Sequence, residues 1–384
     1  MDYIYMDDAA TTEVDERVKE SMDEYFSEKY GNPSSLHKMG REASKAMKRA
    51  RERTASLIGA DEDEIIFTSG GTEADNLAIK GTVMKKDEGH IITTKIEHSA
   101  VYKTCKYLEE QGYNVTYLDV DKDGLVDPTD FESAIRPDTI IASIMYANNE
   151  IGTIEPIKEL AEIADEYDVL FHTDAVQAVG KIPIDVNRES IDMLSLSAHK
   201  FHGPKGVGAL YLDSDVTIEP IIHGGGHEGG LRSGTENVSG IVGLGKACEI
   251  AEKEMDDYIP RMLDLRYKLI EGIIDNIEKA HLNGHRDRRL PNNASFYFDA
   301  VEGESIVLHL DSNGIAASTG SACSTKELKP SRVLTSIGLD EQEAHCSLRL
   351  TISRYTTEEE IDKVIEVLPE VISNLREMSP LWEG

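Results

Sequence analysis

The stretch VLFHTDAVQAVGKIPIDVNRESIDMLSLSAHK, residues 169–200, contains two β-rich runs that each end in reactive side chains. Val169–Thr173 leads into Asp174. Asp192–Leu196 leads into Ser197-Ala-His-Lys200, with Gly203-Pro204 just beyond. Working outward, similar runs stand at Glu64–Thr68, His90–Thr93, Val115–Val120, Thr139–Tyr146 and Val207–Leu212. Several are nearly continuous in apolar residues, which suits strands buried on both faces. Helical patterns at Glu42–Ile58, Thr72–Lys85, Ala100–Glu110 and Ile157–Tyr167 lie between them. Such alternation predicts an α/β domain with a mostly parallel sheet and right-handed crossovers. Beyond about Gly240 the pattern changes to a long helical stretch, Ile241 to Lys279, with Pro260 expected to break or kink it. Short strands follow at Ser295–Asp299, Gly314–Ala317 and Leu348–Ser353, with helices between. This predicts a smaller α+β domain, which the first 14 residues are expected to join. The domains are thus read as 15–255, and 1–14 with 256–384.

The chain has 384 residues, 40 Lys+Arg and 72 Asp+Glu, for a formal net charge of −32. Its 40% apolar content supports a sizeable core and argues against a disordered chain. The acid excess argues against nucleic acid or an anionic membrane surface as a direct partner. No apolar run approaches the ~20 residues of a spanning helix. The opening MDYIYMDD lacks the basic and apolar regions of a signal peptide, so a cytoplasmic protein is expected. The four cysteines, Cys105, Cys248, Cys323 and Cys346, form no C-x-x-C pair, and neither structural disulfides nor a cysteine metal site is expected.

Four strand ends carry the chemistry. In open α/β sheets ligands bind beyond the carboxyl ends of strands. Lys200 there could be a Schiff-base nucleophile or an ordinary solvated lysine. Asp174 could hold a cationic ring nitrogen or cap a helix. Ser69-Gly-Gly-Thr72 leads a strand into a helix, a combination that binds phosphate through free N–H groups and the helix dipole. Thr72 is also a candidate N-cap, with Asp75 three residues on. His98 could stack on an aromatic cofactor, shuttle protons, or be a hydrogen-bonded structural group. Each has a bland alternative, but together a lysine, an acid, a phosphate cradle and a histidine spell a pyridoxal-phosphate site. Two other patterns are set aside. Asp119-x-Asp121-x-Asp123-Gly124 has Asp130 where a calcium loop needs a bidentate Glu, and reads as a polar turn. His223 and His227 flank three glycines, so they read as part of a glycine-rich loop and not as a helical metal pair.

The whole chain resembles the cysteine desulfurases of the NifS/IscS type, within the pyridoxal-phosphate-dependent family of aminotransferase-like fold (fold type I). The matching stretches include Tyr5-Met-Asp-Asp-Ala-Ala-Thr-Thr, Gly31-Asn-Pro-Ser-Ser, Thr68-Ser-Gly-Gly-Thr-Glu-Ala-Asp-Asn, Glu97-His98 and Asn148-Asn-Glu-Ile-Gly. His172-Thr-Asp-Ala-Val-Gln, Ser197-Ala-His-Lys, His223-Gly-Gly-Gly-His-Glu, Arg232-Ser-Gly-Thr-Glu-Asn and Gly320-Ser-Ala-Cys continue them as far as Arg349. The resemblance implies pyridoxal 5'-phosphate bonded to Lys200, with Asp174 on the ring nitrogen. It places Gln177 and Asn149 on the ring-hydroxyl side and His98 on the ring face. Gly71, Thr72, Ser197 and His199 would hold the phosphate. Thr235 would reach the phosphate of a neighbouring subunit, implying a homodimer. Arg349 and Asn32 would bind the carboxylate of L-cysteine. Cys323 would accept the sulfur as a persulfide, with L-alanine as the other product. It would then pass the sulfur to an iron–sulfur scaffold protein of the IscU-like kind or a tRNA-thiolation acceptor, where it could also touch the cluster iron. Cys105 and Cys248 read as buried apolar residues, and Cys346 as non-catalytic. Two positions depart from the pattern: Gly229 stands where Arg is usual, and Asp8 where Asn or Tyr is. The readings weighed against desulfuration are another pyridoxal-phosphate reaction, such as selenocysteine lysis or transamination, and a non-catalytic sulfur-handling protein on the same fold.

Overall fold

A computed structural model describes residues 3–320 and 330–382. Among them, seven strands form the main sheet. From one edge to the other they are Ile65–Thr68, Gly208–Leu212, Met193–Ser197, Leu170–Asp174, Thr139–Ser143, His90–Thr94 and Asn114–Leu118. Gly208–Leu212 runs antiparallel to both neighbours, and the other pairings between adjacent strands are parallel. The sheet is therefore mixed but mostly parallel. His90–Thr94, Thr139–Ser143, Met193–Ser197 and Gly208–Leu212 are buried at every position, as strands covered on both faces should be.

The chain order reverses between His90–Thr94 and Thr139–Ser143. From the first the chain crosses to Asn114–Leu118 on one side; from the second it proceeds to Leu170–Asp174 on the other. This is the topological switch point at which open α/β sheets leave a crevice. Because Gly208–Leu212 runs backwards, Ile65–Thr68 on its far side points the same way as the parallel strands. Five strand ends thus deliver Ser69–Thr72, Lys95–His98, Ile144–Asn149, Asp174 and Ser197–Lys200 to one edge.

The long helix Val238–Asn276 packs on Lys38–Ile58, Glu16–Ser27 and Glu358–Met378. At Gly245 a Cβ would lie 2.5 Å from Ala50 Cα, so the absence of a side chain there sets the helix spacing. The expected break at Pro260 does not occur: the helix continues through it. Buried Met255, Tyr258 and Met262 hold this turn to the core from both sides of the proline, which offsets one missing backbone hydrogen bond. The helix also runs unbroken across residues 255 and 256. An antiparallel three-stranded sheet (Ser347–Thr351, Asn293–Phe298, Ala280–Leu282) follows. Ile4–Tyr5 pairs in parallel with Ile315–Ala316, and Asp7 bridges Thr351, so the N-terminus is tied to the last third of the chain. No helix of the described residues is long and apolar enough to cross a membrane. Asp121 Oδ1 accepts the N–H groups of Asp123 and Leu125, which makes the acidic stretch a tight turn.

Candidate active site

The strand ends enclose a cavity of about 750 Å³. Ten of the sequence-derived site residues line it: Gly71, Thr72, His98, Asn149, Asp174, Gln177, Ser197, His199, Lys200 and Arg349. Lys200 closes a short 3₁₀ turn, Ala198–Lys200, that follows Met193–Ser197 directly. Its Nζ donates to the carbonyls of Ala9 and Ala10 at 2.6 and 2.9 Å. Burial, then the nearby charges of Lys181 and Arg349, bring its ammonium down to about 8, so a neutral amine is accessible near physiological pH. Asp174 ends its strand 5% exposed and accepts the Val176 N–H at 3.0 Å. Burial raises its carboxyl, while His98, the Val176 N–H and Lys200 pull the other way.

His98 caps the helix Ser99–Glu110, its Nδ1 accepting the Ala100 N–H at 3.2 Å. Burial lowers its basicity, so it is a neutral ring with Nε2 protonated. Gln177 is pinned: Nε2 donates to Ala9 O at 2.9 Å and Oε1 accepts from Lys181 Nζ at 3.3 Å. His199 Nδ1 sits 3.1 Å from Thr11 Oγ1, and burial brings it to about 4.

The helix Gly71–Val83 begins one residue before Thr72. Its N-cap is Gly70, at φ +150° and without a side-chain bond, so Thr72 is not the cap. Three N–H groups, those of Gly71, Thr72 and Glu73, precede the first intrahelical bond, from Ala74 N to Gly70 O. A Cβ on Gly71 would lie 2.5 Å from Val176 Cγ2, so only glycine lets the helix start against the Asp174 loop. This is an anion cradle by construction. At the far side Arg349 is 3% exposed. It donates to Asn149 O at 2.9 Å and pairs with Asp7 Oδ1 at 2.7 Å, and its buried Nε has no partner among the described residues. Arg349 lines the cavity, and a guanidinium there suits a carboxylate ligand.

Asn32 and Thr235 do not line this cavity; both are exposed. Asn32 Oδ1 instead accepts the Ser34 N–H at 2.9 Å. Cys323 lies outside the described residues, but Gly320 and Pro330, on either side of that run, both line the cavity. Burial holds the Cys105 and Cys248 thiols at about 12 and raises that of Cys346. The sequence offered Asp75 only as a helix-capping partner of Thr72 and gave no role to Glu97, Glu150 or Arg332; all four also line the cavity. Asp75 was visible as the fourth residue after Gly71, one turn along the same helix face. Glu97 is 1% exposed, accepts from Thr94 and the Met145 N–H, and is pushed up to about 8 by burial.

The set has an anion cradle, a buried carboxylate for a ring cation, a lysine of lowered basicity for an aldehyde, and a neutral histidine between them. It fits pyridoxal 5'-phosphate, and Arg349 leaves a place for a substrate carboxylate.

The aminotransferase class-V pattern matches residues 4–364. A protein named cysteine desulfurase IscS from Dictyoglomus turgidum is 54% identical over 379 residues, covering 98% of this chain and 96% of its own. A solved NifS-like protein aligns at a TM-score of 0.91 with 42% identity, over 97% of this chain and all of the other. A solved structure titled SspA in complex with cysteine aligns at 0.83 with 40% identity, over 92% of this chain and all of the other.

Proposed function

The chain belongs to the aminotransferase class-V family, and from that premise we propose that it works as a cysteine desulfurase, converting L-cysteine to L-alanine and retaining the sulfur as a persulfide on Cys323. One observation carries the reading: Lys200, Asp174 and the uncapped start of Gly71–Val83 converge on one cavity, with Arg349 on its wall. When bound, pyridoxal 5'-phosphate supplies an aldehyde that takes up amines and a ring that draws electrons from the carbon bearing the amine.

The chain's own groups do the rest. The N–H groups of Gly71 and Thr72, with Ser197 and His199, would hold the phosphate. Asp174 would supply the negative charge for the ring nitrogen, and His98 would meet the ring as a neutral side chain. Arg349 binds the substrate carboxylate and so fixes which bond faces the lysine. Lys200 Nζ takes the α-proton and later returns one to the product. The Cys323 thiolate attacks the substrate sulfur. A sulfur–sulfur bond forms and the carbon–sulfur bond breaks, its electron pair remaining on carbon, which then takes up a proton. L-Cysteine plus thiol gives L-alanine plus persulfide, so no external oxidant is required.

The same proposal includes the division into 15–255, and 1–14 with 256–384; the pairing of Ile4–Tyr5 with Ile315–Ala316 supports it. It includes a homodimer in which Thr235, exposed in the single chain, serves the neighbouring subunit's site. It includes a cytoplasmic location and sulfur delivery to an iron–sulfur scaffold or a tRNA-thiolation acceptor. The test is release of alanine and sulfide from L-cysteine in the presence of a reductant. Wild type should produce both in step, and Lys200→Ala should lose roughly a thousandfold or more, the scale of a general acid–base group. Cys323→Ser should lose sulfur transfer, and a Cys323→Ser enzyme that still desulfurates at the wild-type rate would reject the assignment.

A further inference from the structure

Asp75 is a buried carboxyl that the mechanism above does not use. It is 1% exposed, and its Oδ1 has no hydrogen-bond partner among the described residues. One side-chain atom each of Asp75, His98 and Asp174 lie within 4.8 Å of one another. On the side away from the cavity stands His172. Its Nδ1 is 2.8 Å from Ser143 Oγ and its Nε2 is 3.0 Å from Ser195 Oγ, while Asp75 Oδ1 lies 3.8 Å from that Nε2, beyond hydrogen-bond reach.

Two carboxyl groups this close and this dry cannot both be ionised without a large cost. The surroundings decide which one keeps the proton. Asp174 has the Val176 N–H at 3.0 Å, with His98 and Lys200 favouring its charge. Asp75 is raised first by burial, then by the charges of Asp174 and Glu97, and only the Ser195 hydroxyl favours its anion. His172 cannot serve as counter-charge, because complete burial brings it to about 3 and keeps it neutral.

We propose that Asp75 is a positioning residue for the cofactor ring: it carries the proton of the Asp75–Asp174 pair and, as a neutral acid, holds Asp174 as the anion that faces the ring nitrogen. The proposal rests on the cofactor reading above and deepens it. A neutral Asp75 within 4.8 Å of Asp174 adds no charge that would compete for the ring's. The charged or titratable groups facing the pair are His172 from the strand beside it, His98 and Glu97 from the next strand end, and Lys200 from the turn opposite.

Two variants and two readouts test it. Asp75→Asn is neutral, the same shape, and still a donor; its apoprotein should bind pyridoxal 5'-phosphate within about threefold of wild type, less than one neutral hydrogen bond is worth. Asp75→Leu has no donor and should bind about tenfold to a hundredfold more weakly, the scale of a lost hydrogen bond to a charged group. The second readout is the melting temperature of the apoproteins against pH. A carboxyl raised in the folded state stabilises at low pH and loses that contribution as pH rises through its folded value. Asp75→Asn should therefore gain on wild type steadily from mildly acid to mildly alkaline pH. Failure of Asp75→Asn to bind the cofactor would show that a charged Asp75 is needed and would overturn the proposal. So would wild-type affinity in Asp75→Leu, or a pH-independent offset in melting temperature, which a merely structural role predicts. Wild-type protein that takes up no cofactor at all would instead defeat the reading on which this one rests.

Discussion

Lys200 acts as nucleophile or base only when its amine is unprotonated, and the fold arranges this through burial first and through Lys181 and Arg349 second. Capture of the cofactor by the apoprotein should thus speed up as pH rises and level off above about 8, as stopped-flow absorbance at the cofactor band can show. Lys181 is 3% exposed and is hydrogen-bonded to Gln177. Lys181→Met removes its repulsion, which moves the rise to higher pH. A shift to lower pH would contradict this account of Lys200.

At the scale of the element, the start of Gly71–Val83 is the feature on which cofactor affinity depends most simply. Gly71→Ala puts a methyl 2.5 Å from Val176 Cγ2. Overpacking of this kind costs about 1–3 kcal/mol, which is roughly tenfold to a hundredfold in cofactor affinity if the helix start yields. Adding Val176→Ala opens that space and should restore much of the loss, which a double-mutant cycle of dissociation constants would measure. The strands around this element were legible in the sequence because their apolar runs stop at Thr68, Asp174 and Ser197, where the chain turns to polar and small residues. The seven strands of the main sheet were found within a few residues of their observed ends. The helix start at Gly71 and the unbroken helix through Pro260 were not legible. Both depend on partners distant in the chain: Val176 in one case, the core beneath Tyr258 in the other. Asp75 shows the same limit within the site. Its helix position was readable, but its pairing with Asp174 exists only once strand and helix are packed together.

For the molecule as a whole, the net charge of −32 makes the folded chain repel itself, and salt screens that repulsion. Melting temperature should rise as sodium chloride is added, and a fall would mean that attractive pairs such as Arg51–Glu228 outweigh it. Acid should unfold the protein early. His172 and His202 are buried and brought to about 3, while an unfolded histidine titrates near about 6.5. The unfolded chain therefore binds more protons, and stability falls as pH drops below about 6.5. Glu97 and Glu155 act in the opposite sense: burial raises both to about 8, so their contribution fades as pH rises through that value. Among these groups only the carboxyls act between about pH 6.5 and 8, so the apoprotein should lose heat stability as pH rises across that window, which a melting series across pH would reveal. The central claim is tested most directly by intact-mass and peptide mass spectrometry of the holoenzyme after brief exposure to L-cysteine without reductant. The account predicts one added sulfur on Cys323 with alanine formed in equal amount, and none in Lys200→Ala. Sulfur found on Cys105, Cys248 or Cys346 instead, or alanine appearing with no sulfur on the protein, would contradict it.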